Sequence, residues 1–320
     1  MFELLKINLQ LFADMNTQTT GSAGLSDEMK TYYSDYLIDN AVPKLVHDQF
    51  GQKHPIPKNG GKTIEFRKYS PLPKLLTPLT EGVTPDGQSL TVTTIEATID
   101  QYGGYVTISD VLELTAIDNN LVQATKLLGN QAGATLDTIT REVLNGGTNV
   151  VYAGGVTSRE ALTAENKLTV DDIKKAVRAL KTQNADKIGD SYVAIIHPDV
   201  TYDLTNDPTW QSVKDYDPKD WYEGEIGKIA GVRFVETTEA KIFDGGVYST
   251  LILGDNAYGV TEIEGGGLEH IVKQRGSAGT ADPLNQRSSA GWKAIKVAER
   301  LVEQFMVRIE SKSTFASAAN

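Results

Sequence analysis

The chain has 320 residues, 40% hydrophobic and 23% charged, which fits one large or two ordinary globular domains and excludes a disordered chain. It has no cysteine, so disulfides, thiolate metal ligands and cysteine nucleophiles are excluded. A net charge of −11 argues against a sequence-independent nucleic-acid binder, whose surface is normally basic, but suits a container whose acidic wall repels its contents.

The first residues are amphipathic: Leu4, Leu5, Ile7, Leu9, Leu11 and Phe12 are interrupted by Glu3, Lys6, Asn8 and Gln10. A signal peptide needs a basic start and an unbroken apolar core, so export is not expected. A frayed terminus and a docking peptide both fit. No window reaches about 18 apolar residues, so no spanning helix and no membrane partner are expected. After a low-complexity stretch over 16–24, Ser26, Asp27 and Glu28 supply helix-start signals. Tyr33, Tyr36, Leu37, Val42 and Leu45 follow at roughly helical spacing, and Pro43 must end or kink that helix.

Two strand patterns then flank a long irregular interval. Residues 62–68 alternate with Ile64 and Phe66 on one face, and residues 91–99 with Ile95, Ala97 and Ile99 on one face. Between them, over 69–90, lie Pro71, Pro73, Pro78 and Pro85, four of the chain's 11 prolines. Structureless loops beyond about 12–15 residues are uncommon and usually functional or disordered. A long, stiff arm of this kind has an obvious use, which is to lie on a neighbouring molecule.

Residues 102–108 return as a strand, and Ser109 is a good N-cap with Asp110 and Glu113 in the first turn. Leu121, Thr125, Leu128, Ala132, Leu136, Ile139 and Val143 form one apolar stripe, predicting a helix of about 35 Å that Gly146 and Gly147 stop. Thr169 and Asp172 give a capping-box-like start to a second helix carrying Val170, Ile173, Val177 and Leu180. Residues 192–196 read as a buried strand ending in a corner at His197, Pro198 and Asp199. Residues 231–235 and 251–253 read as further strands, so 166–261 looks like a compact α/β subdomain. From 166 to 260 there are 16 acids and 11 bases; from 273 to 312 there are eight bases and four acids. The last segment predicts strands at 268–273 and 292–310, the second so long that it has to be bent or shared between sheets. In the second, Phe305, Val307 and Ile309 share one face and Gln304, Arg308 and Glu310 the other.

Catalytic motifs are not found. Gly61, Lys62 and Thr63 end like a phosphate-binding loop, but Ile56 stands where its first glycine should be and the lysine opens a strand. There is no nucleophile elbow and no zinc-binding histidine pair; the histidines are His47, His54, His197 and His270. Asp215, Asp217 and Asp220 resemble a calcium loop at two positions, but Lys219 occupies the next and no glycine follows, so a solvated acidic loop is expected. Gly265, Gly266 and Gly267 lack the context of a nucleotide fingerprint and mark a crossing between subdomains. No metal or cofactor is implied.

Certain segments resemble a known family. Residues 6–13, Lys-Ile-Asn-Leu-Gln-Leu-Phe-Ala, look like the start of many phage coat proteins from Gram-positive hosts. Residues 79–85, Leu-Thr-Glu-Gly-Val-Thr-Pro, resemble the arm tip of tailed-bacteriophage major capsid proteins of the Hong Kong 97 type. Residues 282–287, Asp-Pro-Leu-Asn-Gln-Arg, with Gly291, Trp292, Lys293 and Ala294, are similar to that family's late signature, the most specific of the three. The resemblance implies an α+β fold with an N-terminal arm over 1–60 and an extended loop over 61–100. It also implies a peripheral domain from 101–165 and 262–320 carrying the long spine helix, and an axial domain over 166–261. It implies a major capsid protein, assembled in the host cytoplasm through hexamers and pentamers into an icosahedral shell around double-stranded DNA, without sequence-specific binding and without enzymatic activity. A portal protein is a further implied partner. About 25 residues precede the first predicted helix, so a separate scaffolding protein is expected, where some relatives carry a long cleaved segment. The implied assembly contacts are Lys74, Leu75, Leu76, Leu79, Glu81 and Pro85, with Trp292 as a structural anchor. Some relatives cross-link lysine to asparagine between subunits; Lys74 is the arm's candidate, with no position fixing its partner.

Two rivals stand beside this reading. One is an acidic cytosolic α/β hydrolase using carboxylates and His197, which needs a pocket at the ends of the strands holding Ile195 and Leu253. The other is a secreted surface-array or adhesion protein, which needs an export signal. Particle formation separates all three.

Overall fold

The computed structural model describes residues 17–18, 46–79, 81–82, 84, 86–115, 120–210, 227–262, 266–277, 279, 282–315 and 319–320. The predicted N-terminal peptide and helix, Pro85, Gly265 and the acidic run of Asp215, Asp217 and Asp220 lie outside the described residues. The chain divides into two compact units. The first includes Gln101–Thr135 and Gly266–Ala294; the second takes Val46–Asp100, Leu136–Gly265 and Ile295–Asn320.

In the first unit, the two-residue strand β1 (Thr17–Gln18) runs parallel to β5 (Asp100–Ser109). The start of β14 (Arg287–Arg300) lies beside β5. β13 (Glu269–Lys273) pairs antiparallel with β14, placing His270 opposite Trp292. Glycine is required where β5 and β14 approach: a side-chain carbon at Gly103 would lie 2.7 Å from the Trp292 carbonyl oxygen, and one at Gly291 2.8 Å from the Tyr105 Cβ. Ser109 caps the short helix α1 (Asp110–Thr115), its Oγ accepting from the Leu112 N–H at 3.3 Å. The predicted spine is α2 (Asn120–Asn145); its residues up to Thr135, with Leu121, Leu128 and Ala132 buried, belong to this unit, and those from the buried Leu136 onward belong to the second.

The second unit is built on a seven-stranded sheet. Its strands are β6 (Val150–Tyr152), β7 (Tyr192–Ile196), β8 (Lys228–Ile229), β9 (Val232–Glu236), β10 (Ile242–Phe243), β11 (Val247–Leu253) and β15 (Met306–Ser311). The order is β6-β15-β11-β7-β9-β8, with β10 also on β11. The helices α3 (Val170–Thr182) and α4 (Pro198–Thr205) contribute Ile173, Val177, Leu180, Val200 and Leu204 to a core shared with Ala194, Ile196, Ile252, Val307 and Ile309. The alternate residues Ile195, Leu251, Leu253 and Met306 pack instead with Leu144 and Tyr258. Burial on both faces explains why β7, and β11 over 251–253, read as unbroken apolar runs instead of alternating ones. Thr169 caps α3 as predicted, its Oγ1 accepting from the Asp172 N–H at 3.3 Å.

The predicted strand over 292–310 is two strands. β14 ends at Arg300 and β15 starts at Met306, with a 3₁₀ turn at Glu303–Phe305 between them. The break is fixed by hydrogen bonds: the N–H groups of Leu301 and Val302 both donate to the Ala257 carbonyl, at 3.0 and 3.1 Å. The charged face of β15 is buried as well as the apolar one, because Arg308 and Glu310 satisfy each other inside.

The second unit also carries a hairpin. β3 (Thr63–Tyr69) pairs antiparallel with β4 (Val92–Thr98), Ile64 opposite Ala97 and Phe66 opposite Ile95, so the predicted apolar faces coincide. Beside it, β2 (Gln52–Lys53) runs parallel to β12 (Tyr258–Thr261), which pairs with the end of β14.

Candidate assembly interface

The hairpin is stiff at its base and open beyond it. The Phe66 ring reaches β12 at Gly259 and meets the His54 ring edge-on, with centroids 5.6 Å apart. The Ile99 N–H donates to the Lys62 carbonyl at 2.9 Å, and Lys62 Nζ pairs with Asp100 at 3.2 Å. Past β3, the Ser70 N–H bonds the Thr91 carbonyl at 3.0 Å, and further out Gln88 Nε2 donates to the Pro73 carbonyl at 3.3 Å. The described residues over 70–91 contain no helix or strand. Here Leu75, Leu76 and Leu79 are 74%, 85% and 76% exposed, and Leu72 and Leu90 are exposed too. Lys74 and Glu81 are exposed on the same stretch, and Lys74 makes no ion pair among the described residues. Covering a leucine is worth roughly 1.5–3 kcal/mol, so a run of them left in water is a large unused driving force. The structure therefore brings five of the predicted contact residues onto one exposed segment; Pro85 lies outside the described residues.

Trp292 belongs to the first unit and is 4% exposed. Its indole N–H donates to Gln131 Oε1 on α2 at 3.1 Å, satisfying the ring's polar end.

Several buried ionic groups were not singled out from sequence. Lys296 on β14 donates to Asp48 and, at 2.8 Å, to the Leu136 carbonyl; Thr140 donates to the other Asp48 oxygen at 2.5 Å. Burial holds the Lys296 ammonium below its ordinary pKa, against the pull of Asp48. His47 Nδ1 lies 2.6 Å from Asp137, and the Tyr258 hydroxyl donates to the His47 carbonyl. Burial pushes the Tyr258 phenol well up. Glu310 is clasped by Arg159 through two bonds of 2.6 and 2.7 Å and by Arg308 at 2.9 Å, with the Arg159 guanidinium 3.6 Å from the Phe243 ring centre. These partners lie up to 248 residues apart, and only the alternation of charge with apolar residues in β14 and β15 hinted at them.

His197 is the N-cap of α4, its Nδ1 accepting from the Asp199 N–H at 3.2 Å while its ring faces Tyr248. Burial lowers its pKa, against Asp199 and Glu236. Among the described residues no three His, Asp or Glu side chains gather to hold a metal, and no helix is long and apolar enough to cross a membrane.

The fold is similar to that of phage capsids. The chain aligns with the capsid of Ralstonia phage GP4 at a TM-score of 0.65 and 15% identity, covering 85% of this chain and 89% of the other. For the capsid of cyanophage P-SCSP1u the TM-score is 0.63 and the identity 15%, over 84% and 89%. For the capsid of cyanophage Pam1 the values are 0.64 and 14%, over 98% and 100%. No curated protein matches. The sequence profile of the phage capsid protein family matches residues 92–300, more than half the chain. With that match and a tailed-phage major capsid fold, the chain belongs to the phage capsid protein family.

Proposed function

We propose that this chain is the shell subunit of a tailed phage, assembling through hexamers and pentamers around double-stranded DNA. The observation that carries the reading is the exposed leucine segment on a hairpin that the described residues anchor at its base. Lys74, Leu75, Leu76, Leu79, Glu81 and Pro85 contact a neighbouring subunit, and Trp292 holds its own unit together. The spine helix and the strands around Trp292 form the peripheral domain. Residues 166–261, joined by β15 in their sheet, form the axial domain. A scaffolding protein and a portal protein are partners during assembly in the host cytoplasm. The role is structural; His197 caps a helix and performs no chemistry.

Light scattering and negative-stain electron microscopy of the purified chain, with and without a scaffolding partner, test this. Rings, shells or tubes are expected. A sharp monomer under every condition overturns the reading.

A further inference from the structure

The second unit carries one feature that the charge count hides. Residues 166–260 are acidic as a whole, yet α3 presents a basic face. Lys174, Arg178 and Lys181 are exposed at intervals of four and three residues and line a shallow depression with Val177, Thr182 and Ala230. None of the three makes an ion pair among the described residues. The helix's two carboxylates are already engaged. Asp172 is buried against Thr169 and Lys175, and Asp171 pairs with Lys175 at 2.8 Å. Lys181 in the last turn also complements the helix dipole, an ordinary structural use. That account does not reach Lys174 or Arg178, which stand further from the helix end.

We propose that this face of α3 contacts the phosphate backbone of the packaged nucleic acid, which places it on the inner side of the shell. The inference rests on the reading of the chain as a DNA-enclosing shell subunit. The stripe rises about 10 Å along the helix, enough for about three successive phosphates of one strand. Contact by cations alone carries no sequence information, as a container needs. Each subunit binds weakly, and the shell's many copies reinforce one another. The acidic surroundings then keep the DNA from spreading over the rest of the wall.

The test titrates a fluorescent 30-base-pair duplex with the unassembled full-length subunit, whose α3 face is open to solvent, at increasing sodium chloride, beside K174Q/R178Q/K181Q. Three neutralised phosphates predict that affinity falls about 40-fold between 50 and 200 mM salt. The triple variant should lose most of the low-salt affinity and most of that salt dependence. Its thermal midpoint and its particles in the microscope should match the parent. Absence of duplex binding by the parent, or unchanged binding by the variant, overturns the proposal while normal particles leave the shell reading intact. Normal folding with collapsed particle yield also overturns it, and identifies the face as a contact between copies. Absence of particles from both proteins counts against the shell reading itself.

Discussion

At the scale of single residues, the buried polar groups set the sharpest expectations. Trp292→Ala removes a buried indole, so it should cost roughly 3–5 kcal/mol, a large part of a typical 5–15 kcal/mol total. Soluble yield and thermal midpoint should both fall; an unchanged midpoint would mean the ring packs against little. Lys296→Met strands Asp48 in the interior and should cost about 3–5 kcal/mol, while Lys296→Met with Asp48→Leu should recover much of the loss. A double-mutant cycle in urea checks this coupling. Asp203 adds a pH signature. Burial alone would raise its carboxyl, but hydrogen bonds from Thr314 and Ser313, with Lys167 nearby, outweigh it and hold the pKa below the usual value. A carboxylate with a depressed folded pKa stabilises above about pH 4, and that contribution is lost as pH falls through the folded value. Asp203→Asn should therefore be less stable than the parent at neutral pH, with the gap closing below about pH 4. A gap that stays constant with pH would assign the effect to packing.

At the scale of elements, the hairpin separates folding from assembly. Deleting residues 72–88 removes no described helix or strand and shortens a loop, and a twofold change in loop length alters closure by only about 0.6 kcal/mol. Circular dichroism should be near that of the parent while particle yield collapses. Unfolding would show that the segment supports its own unit. Elements of this kind are readable from sequence because their periods are local. The apolar stripe of α2, the paired faces of β3 and β4, and the caps at Ser109 and Thr169 each follow from residues a few positions apart. That a strand over 292–310 must bend or be shared between sheets was readable from its length, but the place of the break between β14 and β15 was not. It depends on the Ala257 carbonyl, more than 40 residues upstream of the break. The burial of Arg308 and Glu310 depends in the same way on Arg159. Charged residues in alternation look like a wet strand face until a distant partner supplies the opposite charge.

At the scale of the whole molecule, composition excludes more than it identifies. The acidic balance described the chain's mean and concealed the basic face of α3, because a count cannot tell the buried Asp172 from an exposed carboxylate. The candidate contact segment was legible as prolines without periodicity, and its exposed leucines became evident only once the two apolar clusters of the second unit were filled without them. That segment bears on life before the shell exists. Under the proposed assembly, a cell filling with subunits holds many copies of a sticky ribbon, and sticky extended ribbons normally zip edge to edge into fibrils. Pro71, Pro73 and Pro78 lack the N–H groups such zipping needs, and they interrupt the ribbon between Leu72, Leu75, Leu76 and Leu79. The leucines stay adhesive toward a shaped surface and incompetent toward one another, so the subunit pool keeps its stickiness in reserve without precipitating on itself.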